Sequence, residues 1–202
     1  MSEPPERRAV ILDSAARLFA GKGIAATTVR EIADSVGVLS GSLYHHFPSK
    51  SAIVDEVVDS YLRDLLAAYR DVLRRDRPPR ELVRELVAAS VRATGRHPHA
   101  ADVYRRERRR PHRPGAADRL DAAAAEVTRS WLTVLDRGRA DGSFRTDVPT
   151  WVAYRLIRDG LLHCCPPARP GALDPAAELA ETVSALVLDG LGAHDRRRGN
   201  GR

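Results

Sequence analysis

Val38-Leu39-Ser40-Gly41-Ser42-Leu43-Tyr44-His45-His46-Phe47-Pro48-Ser49-Lys50 contains two hydrophobic anchors, Leu43 and Phe47, one helical turn apart. Around them stand small polar residues, a phenol, two imidazoles and a lysine, and Pro48 stops any helix that begins near Ser40. A helix this short is held by its two anchors while the rest faces outward. Such a surface suits phosphates and base edges better than a substrate pocket.

Upstream, Ile11, Ala15, Leu18 and Phe19 follow helical spacing over about 7–20, with Gly21 and Gly23 as expected terminators. Thr28 opens a second helix, and Glu31 three residues on completes a capping box. Val29, Ile32, Ala33 and Val36 make its apolar stripe, and Gly37 breaks it. Two short helices about a glycine-containing turn form a helix-turn-helix, whose second member enters the major groove while the first braces it. Ser40, Gly41 and Ser42 would permit close approach to base edges. Tyr44 and His46 would hydrogen-bond phosphates, Lys50 would add a point charge, and Thr28 would bind phosphate with its hydroxyl and the helix-end amides. The alternative is an ordinary helical hairpin with capping serines and solvated histidines.

Downstream, Ser49 caps a long helix over about 50–75. Ile53, Val57, Tyr61 and Leu65 form one apolar row, and Val54, Val58, Leu62 and Leu66 another. Two rows predict burial on more than one side. Further helices are expected at about 81–95, 99–109, 116–140, 149–164 and 175–192, with Pro98, Pro149 and Pro175 near starts. The fold class is all-α, about nine helices. Expected domains are a DNA-binding head over 1–50, a ligand-binding and dimerisation body over 51–192, and a disordered arginine-rich tail over 193–202.

The 202 residues carry a formal charge of +6, almost all of the basic residues being arginine, with Lys22 and Lys50 as lysines. Residues 1–50 hold six Lys/Arg against five Asp/Glu, so net charge does not locate the nucleic-acid surface. Positive charge collects instead at Arg105 to Arg113 and from Arg196. No apolar run long enough for a membrane and no leader are seen, so a cytoplasmic location without membrane association is expected. Adjacent Cys164 and Cys165 disfavour a mutual structural disulfide and fit a reducing compartment. His163-Cys164-Cys165 lacks a second ligand cluster for a metal, and no metal or cofactor is expected. An enzyme would need a positioned base or nucleophile, and no Ser/His/Asp or paired-carboxylate set is apparent.

Residues 24–58 resemble the DNA-binding head of the TetR family of bacterial one-component regulators. The matching pieces are Thr27-Thr28-Val29-Arg30-Glu31-Ile32-Ala33, then Gly37-Val38, then Ser42 through Lys50. The resemblance implies a homodimer with a three-helix head, a connecting fourth helix and a ligand-holding body. Its last two helices would form a four-helix interface with their counterparts. Leu179, Val183, Leu186 and Val187 offer the apolar seam, with intramolecular core as the alternative. Two recognition helices related by a two-fold axis require a near-palindromic double-stranded operator.

Leu39 through Phe47, with Tyr154-Arg155-Leu156-Ile157-Arg158-Asp159, is similar to the TetR-type repressors of steroid-ring (cholesterol) catabolism in actinobacteria, which sense coenzyme-A thioesters. This similarity implies that Arg158 contacts an effector. One turn later those regulators carry a tryptophan where this chain has Leu162, which leaves the ligand itself open. Trp131, Leu135, Leu161 and Leu162 are candidates for the apolar lining, with plain core as the other reading. Arg105, Arg106, Arg108, Arg109, Arg110 and Arg113 are candidates for phosphate contacts, or else a solvated loop. The expected function is a repressor that leaves DNA when an acyl-CoA thioester binds. A drug-responsive efflux regulator and a CoA-binding enzyme are the competing readings.

Overall fold

The computed structural model describes residues 5–107, 117–164 and 175–192. These form nine helices and no strand: α1 Pro5–Lys22, α2 Val29–Ser35, α3 Ser40–His46, α4 Lys50–Leu73, α5 Pro79–Arg96, α6 Pro98–Glu107, α7 Ala117–Ala140, α8 Thr150–Cys164 and α9 Pro175–Leu191. The all-α expectation holds. The tail over 193–202 lies outside the described residues.

Helix ends follow from local chemistry. Gly23, at φ +90°, closes α1 with its amide on the Phe19 carbonyl, 3.0 Å. Gly21, expected to help stop α1, is instead inside the helix, because only Gly23 takes the left-handed conformation that a turn needs. Gly37, at φ +70°, performs the same service after α2. The Ala52 amide donates to Ser49 Oγ at 3.1 Å, which caps α4.

The chain packs as two compact units. The first holds α1 to α3, α4 as far as Asp64, and α6; the second holds α4 from Leu65, α5 to Gly95, α7 from Asp121, α8 and α9. In the first unit α1 packs on α2 and α6, and α2 on α3. Its core includes Ile11, Phe19, Ile32, Leu43, Phe47, Ile53 and Val58, all almost wholly buried. Tyr61 of α4 meets Tyr104 of α6 with ring centroids 5.7 Å apart. Both rows of α4 are buried, as their spacing predicts.

The second unit is organised by a buried polar chain. Trp131 Nε1 donates to the Tyr69 hydroxyl at 2.9 Å, that hydroxyl lies 2.6 Å from Ser90 Oγ, and Ser90 Oγ donates to the Leu86 carbonyl at 2.7 Å. Each polar atom that burial removes from water thus keeps a partner. The Tyr69 and Trp131 rings also meet edge to face at 6.2 Å.

Candidate functional site

α3 has seven residues, too few to be stable alone. Leu43 and Phe47 hold it, at 0 % and 1 % exposure. Burying two such side chains contributes roughly 1.5–3 kcal/mol each. Gly41, Ser42 and Tyr44 are exposed, Ser40 and His46 half-buried, so the five candidates on α3 are all accessible.

The start of α2 is closed by its own side chains. The Glu31 amide donates to Thr28 Oγ1 at 3.2 Å, and the Thr28 amide donates to Glu31 Oε2 at 2.7 Å, the predicted capping box. The Thr28 hydroxyl also donates to that carboxylate, 2.9 Å, so its proton already has an acceptor. Lys22 pairs with the other oxygen. The Lys22 hydrogen bond, then the Thr28 amide and hydroxyl, draw the Glu31 pKa from 4.5 down to about 2. Thr27 is fully buried, its hydroxyl donating to the Gly23 carbonyl at 2.8 Å.

Lys50 has structural partners that its sequence position does not announce. Its ammonium donates to the carbonyls of Ile24 and Thr27, both at 2.9 Å. Two of three donors therefore tie α4 to the loop before α2, and one is left for a phosphate. Thr28 and Lys50 both hold the head together.

Sequence reasoning missed Arg8. Its Nε donates to Glu56 Oε2 at 3.1 Å, its Nη2 pairs with Glu56 Oε1, and its Nη1 donates to the His46 carbonyl at 3.0 Å. The guanidinium carbon lies 4.3 Å from the Phe47 ring centroid. One side chain from α1 thus holds the last carbonyl of α3 and the first half of α4 together. Its partners lie 38 and 48 residues away, and no local pattern announces them.

Residues 11–57 match the model of bacterial regulatory proteins, tetR family. The chain is 38% identical to the HTH-type transcriptional repressor KstR2 of Rhodococcus jostii over 92% of its own length and 91% of the relative's. It is 39% identical to KstR2 of Mycolicibacterium smegmatis over 94% and 93%. The chain belongs to the TetR family. A solved ketosteroid transcriptional regulator, KstR2 of Mycobacterium tuberculosis, superposes with a TM-score of 0.86 at 35% identity, covering 95% of this chain and 98% of that one. The chain is thus a TetR-type transcriptional repressor, KstR2-like, and not an enzyme. TetR regulators bind operator DNA and small-molecule effectors and act as dimers.

In the TetR body, the candidate effector residues fall into separate surroundings. Trp131, Leu135 and Leu161 are buried, Leu162 half-buried. Trp131 belongs to the Tyr69–Ser90 chain. Leu135 lines a half-open cleft of about 10 Å³ with Arg139, Phe144, Arg145, Val148, Thr150, Ala153 and Leu191. That is below the usual range for a small-molecule site, roughly 300–1,000 Å³. Arg139 already donates to the Val148 and Thr146 carbonyls, and Arg145 pairs with Asp147. Arg158, Trp131, Leu161 and Leu162 are not on its walls.

Arg158 is half-buried, with its Nε 2.9 Å from Asp159 Oδ1 and its guanidinium carbon 5.5 Å from the Tyr154 ring centroid. Burial works against its charge, but the Asp159 carboxylate outweighs this and raises the pKa above the ordinary guanidinium value. The Tyr154 hydroxyl is itself 3.1 Å from Thr128 Oγ1, which fixes the ring beneath the cation.

Arg105 and Arg106 both pair with Asp102, while Arg108 to Arg113 lie outside the described residues, as do Cys165 and the Cys164 side chain. His163 Nδ1 is 2.6 Å from the Asp159 carbonyl one turn back. No group of metal ligands occurs among the described residues. No described helix is long and apolar enough to cross a membrane.

On α9, Ala180, Ser184 and Leu188 are buried, Leu179, Val183 and Val187 half-buried, and Leu186 71 % exposed. The expected seam therefore lies beside, not on, the row that packs within the protomer. α8 adds Trp151 and Leu156, at 60 % and 71 % exposure, which the sequence reading did not single out.

Proposed function

We propose that this repressor binds a near-palindromic operator as a homodimer through α3, and is released by a coenzyme-A thioester from steroid or lipid catabolism. The observation that carries the reading is the whole-chain likeness to KstR2 repressors, one of them described as a ketosteroid regulator. Exposed Trp151, Leu156 and Leu186 on the last two helices support a dimer, because large apolar groups left in water mark an interaction face. Ser40, Gly41 and Ser42 face the groove; Tyr44, His46 and the third donor of Lys50 take phosphates, while Thr28, whose donors are held by Glu31, shapes the start of α2. A DNA target fits a cytoplasmic location.

Arg158, fixed on Tyr154, offers a partly desolvated cation to an anionic or carbonyl group of the effector. Leu161 and Leu162 follow Arg158 one turn later on α8, where an acyl group would meet them. A regulator of cationic drugs would instead favour buried acids, whereas the buried polar residues among those described are serines and one threonine. α4 runs unbroken from Lys50 to Leu73 through both units, so an effector that prefers one α4 position shifts the DNA-binding population.

Selection of bound DNA from a random library tests the reading, followed by titration of the selected complex with CoA thioesters. A near-palindrome bound by two protomers and released by a thioester, but not by free CoA, is expected. An asymmetric site held by one protomer, or indifference to every thioester, overturns the corresponding half.

A further inference from the structure

Leu39 breaks two local rules at once. It occupies the N-cap of α3, where Ser, Thr, Asp or Asn would bond an unpaired amide, and it makes no side-chain cap. That choice forgoes about 1 kcal/mol of helix stability. It is also 83 % exposed, more than any other large hydrophobic residue among those described. Its backbone is ordinary extended chain, φ −71° and ψ 141°, and its carbonyl accepts from the Ser42 amide at 2.9 Å, so the side chain projects from a fixed point. Half-buried Ser40 and exposed Gly41 and Ser42 follow it, which places the isobutyl group at the leading end of the groove-reading surface.

We propose that Leu39 is a specificity residue that packs on a thymine C5-methyl group in each half-site. The methyl is the one apolar feature of the major-groove code, and an aliphatic side chain is its natural reader. A leucine that costs helix stability and sits in water without DNA gains burial only when that methyl is present. Local rules broken without a folded-state return mark functional positions. The contact rests on α3 being the groove helix.

The test uses the full-length protein and its selected operator, with each symmetric thymine pair replaced in turn by deoxyuridine, which removes the methyl alone. Burying one methyl is worth about fourfold in affinity per half-site. At one pair, wild type should lose roughly 15-fold over both half-sites, while Leu39→Ala loses nothing there. Leu39→Ala should bind the thymine operator as weakly as wild type binds the uracil one, with an unchanged melting temperature. Uracil losses of equal size in both proteins, or none in wild type, overturn the contact. A parallel series with 7-deazapurines separates the two levels. Sensitivity to lost N7 acceptors without any uracil effect overturns the Leu39 contact alone, and insensitivity to both overturns the groove reading.

Discussion

The head and the body solve the same problem, keeping polar groups satisfied, at different ranges. In the head, Thr28 and Glu31 satisfy each other three residues apart, and Thr27 bonds Gly23 four residues back. In the body, Trp131 bonds Tyr69 across 62 residues, and Tyr69 bonds Ser90 across 21. Short-range solutions leave a signature in sequence; long-range ones leave only an apolar residue at helical spacing. The head is therefore recognisable in isolation, and the body acquires its meaning from packing.

The sharpest way to break this contrast is Trp131→Ala. It removes a buried indole and with it the donor to the Tyr69 hydroxyl, so stability should fall by roughly 3–5 kcal/mol in urea unfolding. A loss below about 1 kcal/mol would show that the body does not depend on the chain of polar contacts.

Arg8→Gln probes the longest-range device in the head. Its ion pair is about 40 % exposed, so the pair's worth is modest. Operator affinity should fall about fivefold, ~1 kcal/mol, through misplacement of α3. The slope of log affinity against log salt should not change, because no phosphate contact is lost. A shallower slope would mean that Arg8 touches the backbone of DNA.

The smallest effects belong to the local devices. Thr28→Ala should cost about 1 kcal/mol of stability, seen as a lowered melting temperature. Glu31 adds a pH signature. Its pKa in the fold is depressed to about 2 from 4.5, so its contribution is complete above 4.5 and is lost as pH falls through about 2. The melting-temperature gap between wild type and Glu31→Gln should close over that window. A gap that stays constant would remove the carboxylate from the cap.

What was legible followed the same division. Periodicity, prolines and caps gave the helices, and the Thr28–Glu31 box appears as spaced. Gly21 and Gly23 look alike in sequence, and only φ distinguishes the one that ends α1. Lys50 was readable as a cation but not as a ligand of two carbonyls 23 and 26 residues away. Arg8 was invisible for the same reason. In the body, Trp131 and Leu135 were found as apolar residues, but spacing does not say that one closes a polar chain and the other lines a small cavity.

Coupling between the two regions is reciprocal if effector and operator compete for one conformational equilibrium. The direct test is a fluorescence titration of an acyl-CoA thioester into the free protein and into its saturated operator complex, alongside operator affinity with and without the thioester. The thioester should bind the free protein more tightly, and by the same factor as it weakens operator binding. Equal affinity of the thioester for both forms would contradict release by this class of ligand.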